Sequence, residues 1–267
     1  MKYICFNVNG IRARLHAIDL LLEREQPDIL GLQEVKIADD IFPHDWFTER
    51  GYYSYTHGIK GRHGVAIISK QPAKQVQCGL NCDRTDSQRR FIAATYDLNG
   101  NAMTVMNGYF PQGENRSHPT KFEDKKQYYW HLQQYLKQFD KQALYLLMGD
   151  MNVARNDIDV GIGEDNAKRW LRSGTCCFLP EEREWLETLM ATPFIDCYRE
   201  EHPNQQLYSW FDYRSKGFDR EPKRGLRIDY IFASEAMAKH CHSSGILSDY
   251  RGFERPSDHC PIVLESH

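Results

Sequence analysis

Leu146-Leu147-Met148-Gly149-Asp150-Met151-Asn152 decides the reading of this 267-residue chain. The apolar run at residues 143–148 predicts a buried strand. It ends in Gly149, then a carboxylate and, two residues on, a carboxamide. Positions i and i+2 of extended backbone face the same way, so Asp150 and Asn152 both point off one strand end. Such a pair can hold a water molecule or a metal ion, which makes a hydrolase thinkable. A carboxylate at a strand end also serves as a plain turn or helix cap, so the motif alone leaves both readings open.

The same arrangement recurs along the chain. Phe6 gives way to Asn7, with Asn9 two residues further. Ile29-Leu30-Gly31-Leu32 runs into Gln33-Glu34, and Val105-Met106 into Asn107-Gly108-Tyr109. Leu226-Arg227-Ile228 leads to Asp229, and Pro256-Ser257-Asp258-His259 precedes the final apolar run. Caps alone do not explain so many polar endings. Strand ends of packed sheets lie along a common edge, where loops carry function.

Outward from these endings the pattern predicts strands at 3–8, 28–33, 64–69, 90–96, 102–109, 144–148, 208–211, 226–233 and 260–264. Leu15, Ile18, Leu21 and Leu22 have helical spacing, which predicts a helix over 15–25 that stops before Pro27. A long helix is expected at 121–139. Pro180 followed by Glu181 and Glu182 is a helix start, running to about Met190. No linker or low-complexity tract divides the chain, so residues 1–267 are expected to form a single domain. Helices separate some strands but not all, which predicts mixed sheets packed together with helices outside.

Composition bounds the function. Hydrophobic content of 41% supports a sizeable core. Mean hydropathy of −0.66 and the lack of an apolar run near 18 residues exclude a membrane span. The first apolar run, broken at Asn7, is too short for a signal-peptide core, so a cytoplasmic protein is expected. The eight cysteines contain no Cys-x-x-Cys pair, which argues against structural zinc. Cys78 and Cys82, four apart, are weak candidates for a redox or metal pair. Cys5, Cys197 and Cys260 lie in apolar runs and read as small buried hydrophobes. The net charge of −3 argues against a generally sticky nucleic-acid binder. Residues 212–227 nevertheless hold six basic residues against three acids, so a basic face toward a polyanion is expected.

If Glu34, Asp150, Asp229 and Asp258 converge, an anionic substrate meets strong repulsion. One phosphate charge at about 4 Å from one carboxylate costs roughly 4 kcal/mol at an effective dielectric near 20. The site then carries a divalent cation, or its substrate is not anionic. Oxygen ligands favour Mg2+ or Mn2+ over zinc. A single His259 among carboxylates reads as a base or a phosphate contact, or as a hydrogen-bonded core histidine.

At this point the chain resembles the exonuclease III family of exonucleases and apurinic/apyrimidinic endonucleases, within the DNase I-like endonuclease/exonuclease/phosphatase fold. The matching segments are Phe-Asn-Val-Asn-Gly-Ile-Arg-Ala-Arg at 6–14, Pro-Asp-Ile-Leu-Gly-Leu-Gln-Glu at 27–34, Asn-Gly-Tyr-Phe-Pro-Gln-Gly at 107–113 and Met-Gly-Asp-Met-Asn at 148–152. Ser-Trp-Phe-Asp-Tyr-Arg-Ser-Lys-Gly-Phe at 209–218, Arg-Gly-Leu-Arg-Ile-Asp at 224–229 and Pro-Ser-Asp-His at 256–259 complete the set. They span nearly the whole chain in family order.

The resemblance implies an α/β (α+β) fold, a four-layer sandwich of two packed mixed β-sheets flanked by helices. It implies a DNA-repair hydrolase that uses Mg2+, with Mn2+ as an alternative. Its substrate would be double-stranded DNA with abasic sites or 3′ ends, incised 5′ to the abasic site or shortened 3′-to-5′, with 3′ blocking groups removed. A monomer with no membrane partner is expected. Carried over by position, Glu34 resembles the principal metal ligand, with Asn7 and Asp258 close by. Asp150 resembles the residue that orients and activates water, with Asn152 beside it. His259, held by Asp229, and Tyr109 resemble phosphate contacts. A carboxylate beside His259 raises its pKa and leaves Asp150 the better general base. Trp210, Phe211 and Leu226 match a pocket and wedge region, while Arg214, Lys216, Arg224 and Arg227 would grip phosphates and Gln112 would touch DNA.

The loop at 217–225 departs from the pattern by its length, which bears on DNA grip rather than on metal chemistry. Two other readings compete. One is a phosphatase on small phosphoesters with the same metal site, against which the basic, aromatic stretch at 209–227 argues. The other is a non-catalytic DNA-binding module, against which the full set of polar positions argues.

Overall fold

The computed structural model describes residues 1–98, 100–140 and 142–267, and their side chains except at positions 83 and 84. The strands in chain order are β1 (Lys2–Asn7), β2 (Ile29–Gln33), β3 (Tyr53–His57), β4 (Val65–Ser69), β5 (Gln75–Cys78) and β6 (Phe91–Leu98). They continue as β7 (Asn101–Tyr109), β8 (Leu144–Asp150), β9 (Phe194–Asp196), β10 (Asp229–Ser234), β11 (Cys241–Ile246) and β12 (Ile262–Ser266). Among the described residues these form two six-stranded sheets, ordered β11-β12-β1-β2-β4-β3 and β5-β6-β7-β8-β10-β9.

Each sheet is antiparallel except for one pair at its centre. β1 runs parallel to β2, and β7 to β8. Parallel neighbours need a crossover. The helix Leu15–Glu25 supplies the first and the helix Lys121–Leu136 the second. Both therefore lie against the outer faces of the sheets.

The period-2 alternation of the central strands builds the four layers. Tyr3 and Cys5 of β1 and Leu146 and Met148 of β8 point between the sheets, where they meet Ile67, Ile92, Val105 and Ile231. Ile4 and Phe6 point outward to Ile18, Leu21 and Leu22 of the first crossover helix. Leu147 and Tyr145 point outward to Tyr128, Tyr129 and Leu132 of the second.

The sheets approach closely where the site forms. A Cβ on Gly31 would come within 2.4 Å of Met148 Sδ and 3.1 Å of Asn107 Cγ, so a larger residue there would have to displace the side chains between the sheets. Asn107, read from sequence as a functional strand ending, is instead a fully buried tie between the sheets. Its amide donates to the carbonyls of Leu32 at 2.9 Å and Ala66 at 2.8 Å, and its oxygen accepts from Gln33 Nε2 at 2.6 Å. Gly149 is forced by its neighbour strand: a Cβ there would lie 2.0 Å from the Gly108 carbonyl oxygen.

Several boundaries differ from expectation. The second crossover helix ends at Leu136 rather than 139, and the last strand is Ile262–Ser266 rather than 260–264. Residues 208–211 form no strand; Trp210 makes single bridges to Leu226 and to His259. The strand expected at 226–233 begins only at Asp229. β3, β5, β9 and β11 went unpredicted. All four are edge strands, and an edge need not bury an apolar run. Among the described residues no helix is long and apolar enough to cross a membrane.

Behind β10 lies a buried ion cluster. The Arg227 guanidinium bonds Asp159 at 2.8 Å and Asp196 at 2.7 Å, and Arg199 adds a bond to Asp159 at 2.6 Å. Burial alone would raise the Asp159 pKa, but Arg227 and Arg199 hold it below the ordinary carboxylate value. A depressed carboxylate contributes stability that is complete above its unfolded pKa, about 4, and is lost as pH falls through the folded value. Removing one partner leaves a buried guanidinium short of charge. Asp159→Asn is expected to lower the unfolding free energy at pH 7 by about 3–5 kcal/mol in urea titrations. That loss should shrink as pH falls below about 4; an unchanged urea midpoint would mean that the cluster contributes nothing.

Candidate active site

The carboxyl ends of the two central parallel pairs meet. Asn7 is in register with Gln33 across one pair, Tyr109 with Asp150 across the other, and Asp229 with Asp150 at the start of β10. Past these ends the chain turns through left-handed residues, including Asn9 (φ 45°), Glu34 (φ 50°) and Asn152 (φ 52°). Asparagine tolerates that region, but for Glu34 it costs about 1–2 kcal/mol. The turn keeps the Glu34 side chain over the cleft.

Asn7 is the brace between the sheets' carboxylates. Its Nδ2 donates to Glu34 Oε1 at 3.1 Å and to Asp150 Oδ2 at 2.9 Å. Its oxygen already accepts the Asn9 amide at 3.0 Å. Asp150 Oδ1 accepts the backbone amide of Asn152 at 3.0 Å. The Asn152 side chain donates to the Phe110 carbonyl at 3.0 Å and so pins the end of β7 to the end of β8.

His259 closes the group. Its Nδ1 lies 2.8 Å from Asp229 Oδ2, and Ser209 Oγ donates to the same oxygen at 2.6 Å. Its Nε2 lies 3.7 Å from Asp150 Oδ2. Glu34, Asp150 and His259 each offer a ligand atom, and these atoms lie within 4.8 Å of one another. Asp258 stands outside that trio. Its two oxygens accept from Asn9 Nδ2 at 2.9 Å and Trp210 Nε1 at 3.1 Å.

The electrostatics differ from group to group. Burial drives the Asp150 pKa up to about 8, and the Asp229 charge adds to it against the opposing His259. Burial would lower His259, but the charges of Asp229 and Asp150 push it up to about 10. Burial would raise Glu34 too, yet Lys36, 2.8 Å from Oε2, holds it below the ordinary value. Burial and the Glu34 charge push the Tyr109 hydroxyl well above its usual range, so it stays a hydrogen-bond donor.

Sequence reasoning missed Lys36, Ser209 and Arg90, and placed Asn9 among the strand endings without giving it a role. Arg90 donates to the Tyr109 carbonyl at 3.2 Å and lies 4.6 Å over the Tyr109 ring. Its one sequence signal was an arginine opening an apolar strand. Beside Tyr109 opens a cavity of about 630 Å³, lined among others by Arg62, His63, Arg90, Gln112 and Lys121. Gln112 thus faces open space next to the site.

The phosphate-gripping surface needs correction. Arg214, Lys216 and Arg224 are exposed as expected. Arg227 is 1% exposed and spends its guanidinium on Asp159 and Asp196, so it cannot reach a phosphate. Phe211 at 2% and Leu226 at 0% exposure are core, not a pocket wall or wedge. Trp210 alone of the three is half-buried and touches the site, through Asp258.

Comparison with known proteins agrees with this architecture. The family described as "Endonuclease/Exonuclease/phosphatase family" matches residues 4–259. Exodeoxyribonuclease III of Haemophilus influenzae is 49% identical over 267 residues, covering 99% of each chain. An AP endonuclease from Archaeoglobus fulgidus superposes with a TM-score of 0.90 at 35% identity, covering 100% of this chain and 99% of that one. A 3′ phosphatase from Neisseria, bound to a product DNA hairpin, gives the same TM-score, identity and coverage.

Residues that hold a ligand in place set metal affinity nearly as strongly as the ligand itself, by about 10–100-fold. Asn7→Ala removes the brace on both carboxylates. Calorimetric Mn2+ titration is expected to show weaker binding by that factor; equal affinity would demote Asn7 to a packing residue.

Proposed function

This chain belongs to the endonuclease/exonuclease/phosphatase family and is a DNA-repair nuclease, and from that premise we propose that it hydrolyses phosphodiesters of duplex DNA with Mg2+. In this reading residues 1–267 act as one domain and as a monomer, incising 5′ to abasic sites, shortening 3′ ends and removing 3′ blocking groups. The observation that carries the reading is the meeting of Asn7, Glu34, Asp150 and His259 from both sheets at one cleft.

The donor set fits a hard divalent cation: carboxylate oxygens of Glu34 and Asp150 meet there, and burial together with the Asp229 charge disfavours an unpartnered Asp150 carboxylate. Glu34 would be the principal ligand of the ion, with Asn7 and Asp258 close to it; His259, charged, stands beside the ion without ligating it. Bound there, a divalent cation supplies Lewis-acid stabilisation of charge developing on the phosphoryl oxygens. The remaining work falls to side chains. Asp150 takes the proton from the attacking water, with the Asn152 amide fixing its carboxylate. His259, kept as imidazolium by Asp229, and the Tyr109 hydroxyl donate to nonbridging oxygens as negative charge builds there. Asp229 in turn is fixed by Ser209.

Exposed Arg214, Lys216 and Arg224 would grip the DNA backbone, and Gln112 would border its path. Trp210 is left as the aromatic group that selects an abasic sugar, which lacks the bulk of a base. The loop at 217–225 presents further cations next to this surface: Arg220 and Lys223 are exposed.

The test is a labelled duplex with one abasic site, incubated with and without EDTA and read for incision and for 3′ shortening. Both should stop with chelator. Asp150→Asn is expected to cut kcat by about 10²–10⁴-fold with saturating Mg2+; near wild-type turnover would remove Asp150 from the base role. Arg224→Ala should reduce the slope of log affinity against log salt by about one. Arg227→Ala should leave that slope unchanged while lowering stability.

A further inference from the structure

Cys197 and Cys241, far apart in sequence, come together on the side of the molecule away from the cleft residues. Cys197 opens the short helix Cys197–Glu201, and Cys241 opens β11. The Cys197 thiol donates to the Ile195 carbonyl at 3.9 Å and the Cys241 thiol to the Met237 carbonyl at 3.4 Å, and each thiol perturbs the other's pKa. Sequence reading placed Cys197 in an apolar run as a buried hydrophobe, but both residues are partly exposed. Both line an open cleft of about 300 Å³, with Glu200, Ala238 and His242 around them.

The seam that carries the pair is held along its length. Glu201 Oε2 accepts from the Ser244 amide at 2.6 Å and from Ser244 Oγ at 2.7 Å. His202 Nε2 lies 3.1 Å from the Ser244 carbonyl. These bonds tie the helix to β11 and keep both thiols on one cleft. The other cysteines differ. Cys5, Cys176, Cys177 and Cys260 are buried. The Cys78 thiol donates to the Thr56 carbonyl at 3.6 Å, and the Cys82 thiol lies 3.1 Å from His131 Nε2.

We propose that Cys197 and Cys241 form an oxidisable dithiol, a site of reversible disulfide formation by hydroperoxides that also captures trivalent arsenicals. The neighbouring Cys197 lowers the Cys241 thiol pKa, against the burial that raises it. Cys241 is thus the attacking sulfur and Cys197 the resolving one. The Cys241 thiolate attacks hydrogen peroxide; the O–O bond breaks, sulfur becomes a sulfenic acid and one water forms with the thiol's proton. The Cys197 sulfur then attacks that sulfenic sulfur; the S–O bond breaks, and the departing hydroxide leaves as a second water with the Cys197 proton. Two thiols and one hydrogen peroxide give one disulfide and two waters, with two electrons passing from sulfur to oxygen. The new bond staples both ends of the segment that carries Ser209, Trp210 and Asp229.

The test treats the full-length protein with stoichiometric hydrogen peroxide, alkylates the remaining thiols and maps peptides without reduction. The expected product is a Cys197–Cys241 linked peptide that forms ahead of any other cysteine modification and is reversed by dithiothreitol. Cys197→Ser should abolish the link, stop Cys241 at the sulfenic acid and leave DNA incision unchanged. Oxidation that goes first to Cys78 or Cys82, with Cys197 and Cys241 still reduced, would overturn the proposal. Phenylarsine oxide gives a measurement on the unmutated protein: one equivalent should bind and block alkylation of both residues together. Failure to block both would overturn it independently.

Discussion

Several carboxylates are buried within a few ångströms of one another, and the rest of the structure is arranged around that repulsion. Asp150 and Asp229 face each other across a β-ladder at negligible exposure. Left alone, such a pair costs several kcal/mol, since each charge is desolvated and faces its like. The fold meets the cost with its own side-chain donors. Asn7 spans Glu34 and Asp150, Ser209 and His259 cover Asp229, and Lys36 pairs with Glu34. What remains uncompensated collects on Asp150, where a divalent ion would complete the balance.

Holding those donors requires a rigid frame, and the paired parallel strands supply it. A parallel pair ends with both strands at one edge, and two packed sheets bring two such edges together. Their separation is set by packing that tolerates little change: Gly31 against Met148 and Asn107 tying one sheet to backbone of the other, while Gly149 against Gly108 fixes two neighbouring strands within one sheet. A one-methylene change at Gly31 or Asn107 would move one wall of the site relative to the other. The Arg227 cluster steadies the chain just before Asp229, and its charges stay out of the cleft because Asp159 and Asp196 consume them.

The central strands and both crossover helices were legible because burial on both faces, or on one helical face, leaves a pattern. So were the strand endings, since a polar residue after an apolar run stands out. The edge strands β3, β5 and β11 were not, because much of each faces solvent and reads as loop, and β9 is only three residues long. Arg227, Phe211 and Leu226 show the opposite failure. An arginine in a basic stretch reads as surface, and nothing local reveals that Asp159 and Asp196, distant in sequence, wait for it. Phe211 and Leu226 resemble pocket residues in type, yet their burial depends on how residues 208–211 bridge to 226 and 259, contacts too few to write a period. Lys36 escaped for a related reason: its pairing with Glu34 is set by a left-handed turn, not by strand alternation.

The environment also divides the labour among chemically similar groups. Glu34 and Asp150 are both carboxylates joined to the same Asn7 amide. Glu34 has Lys36 beside it and is held ionised, ready for a cation. Asp150 is fully buried, has Asp229 beside it and, among the described residues, no basic side chain closer than His259 at 3.7 Å, so it holds a proton more tightly. Carboxyls pushed apart in this way take different tasks, one as a fixed charge and one as a proton carrier. His259 cannot take the second task, because Asp229 keeps it charged. The assignment of Asp150 as proton acceptor in the proposed reaction therefore rests on its neighbours more than on its residue type. A glutamate in its place would bring the same chemistry but would push its longer side chain into the space between Asn7 and His259.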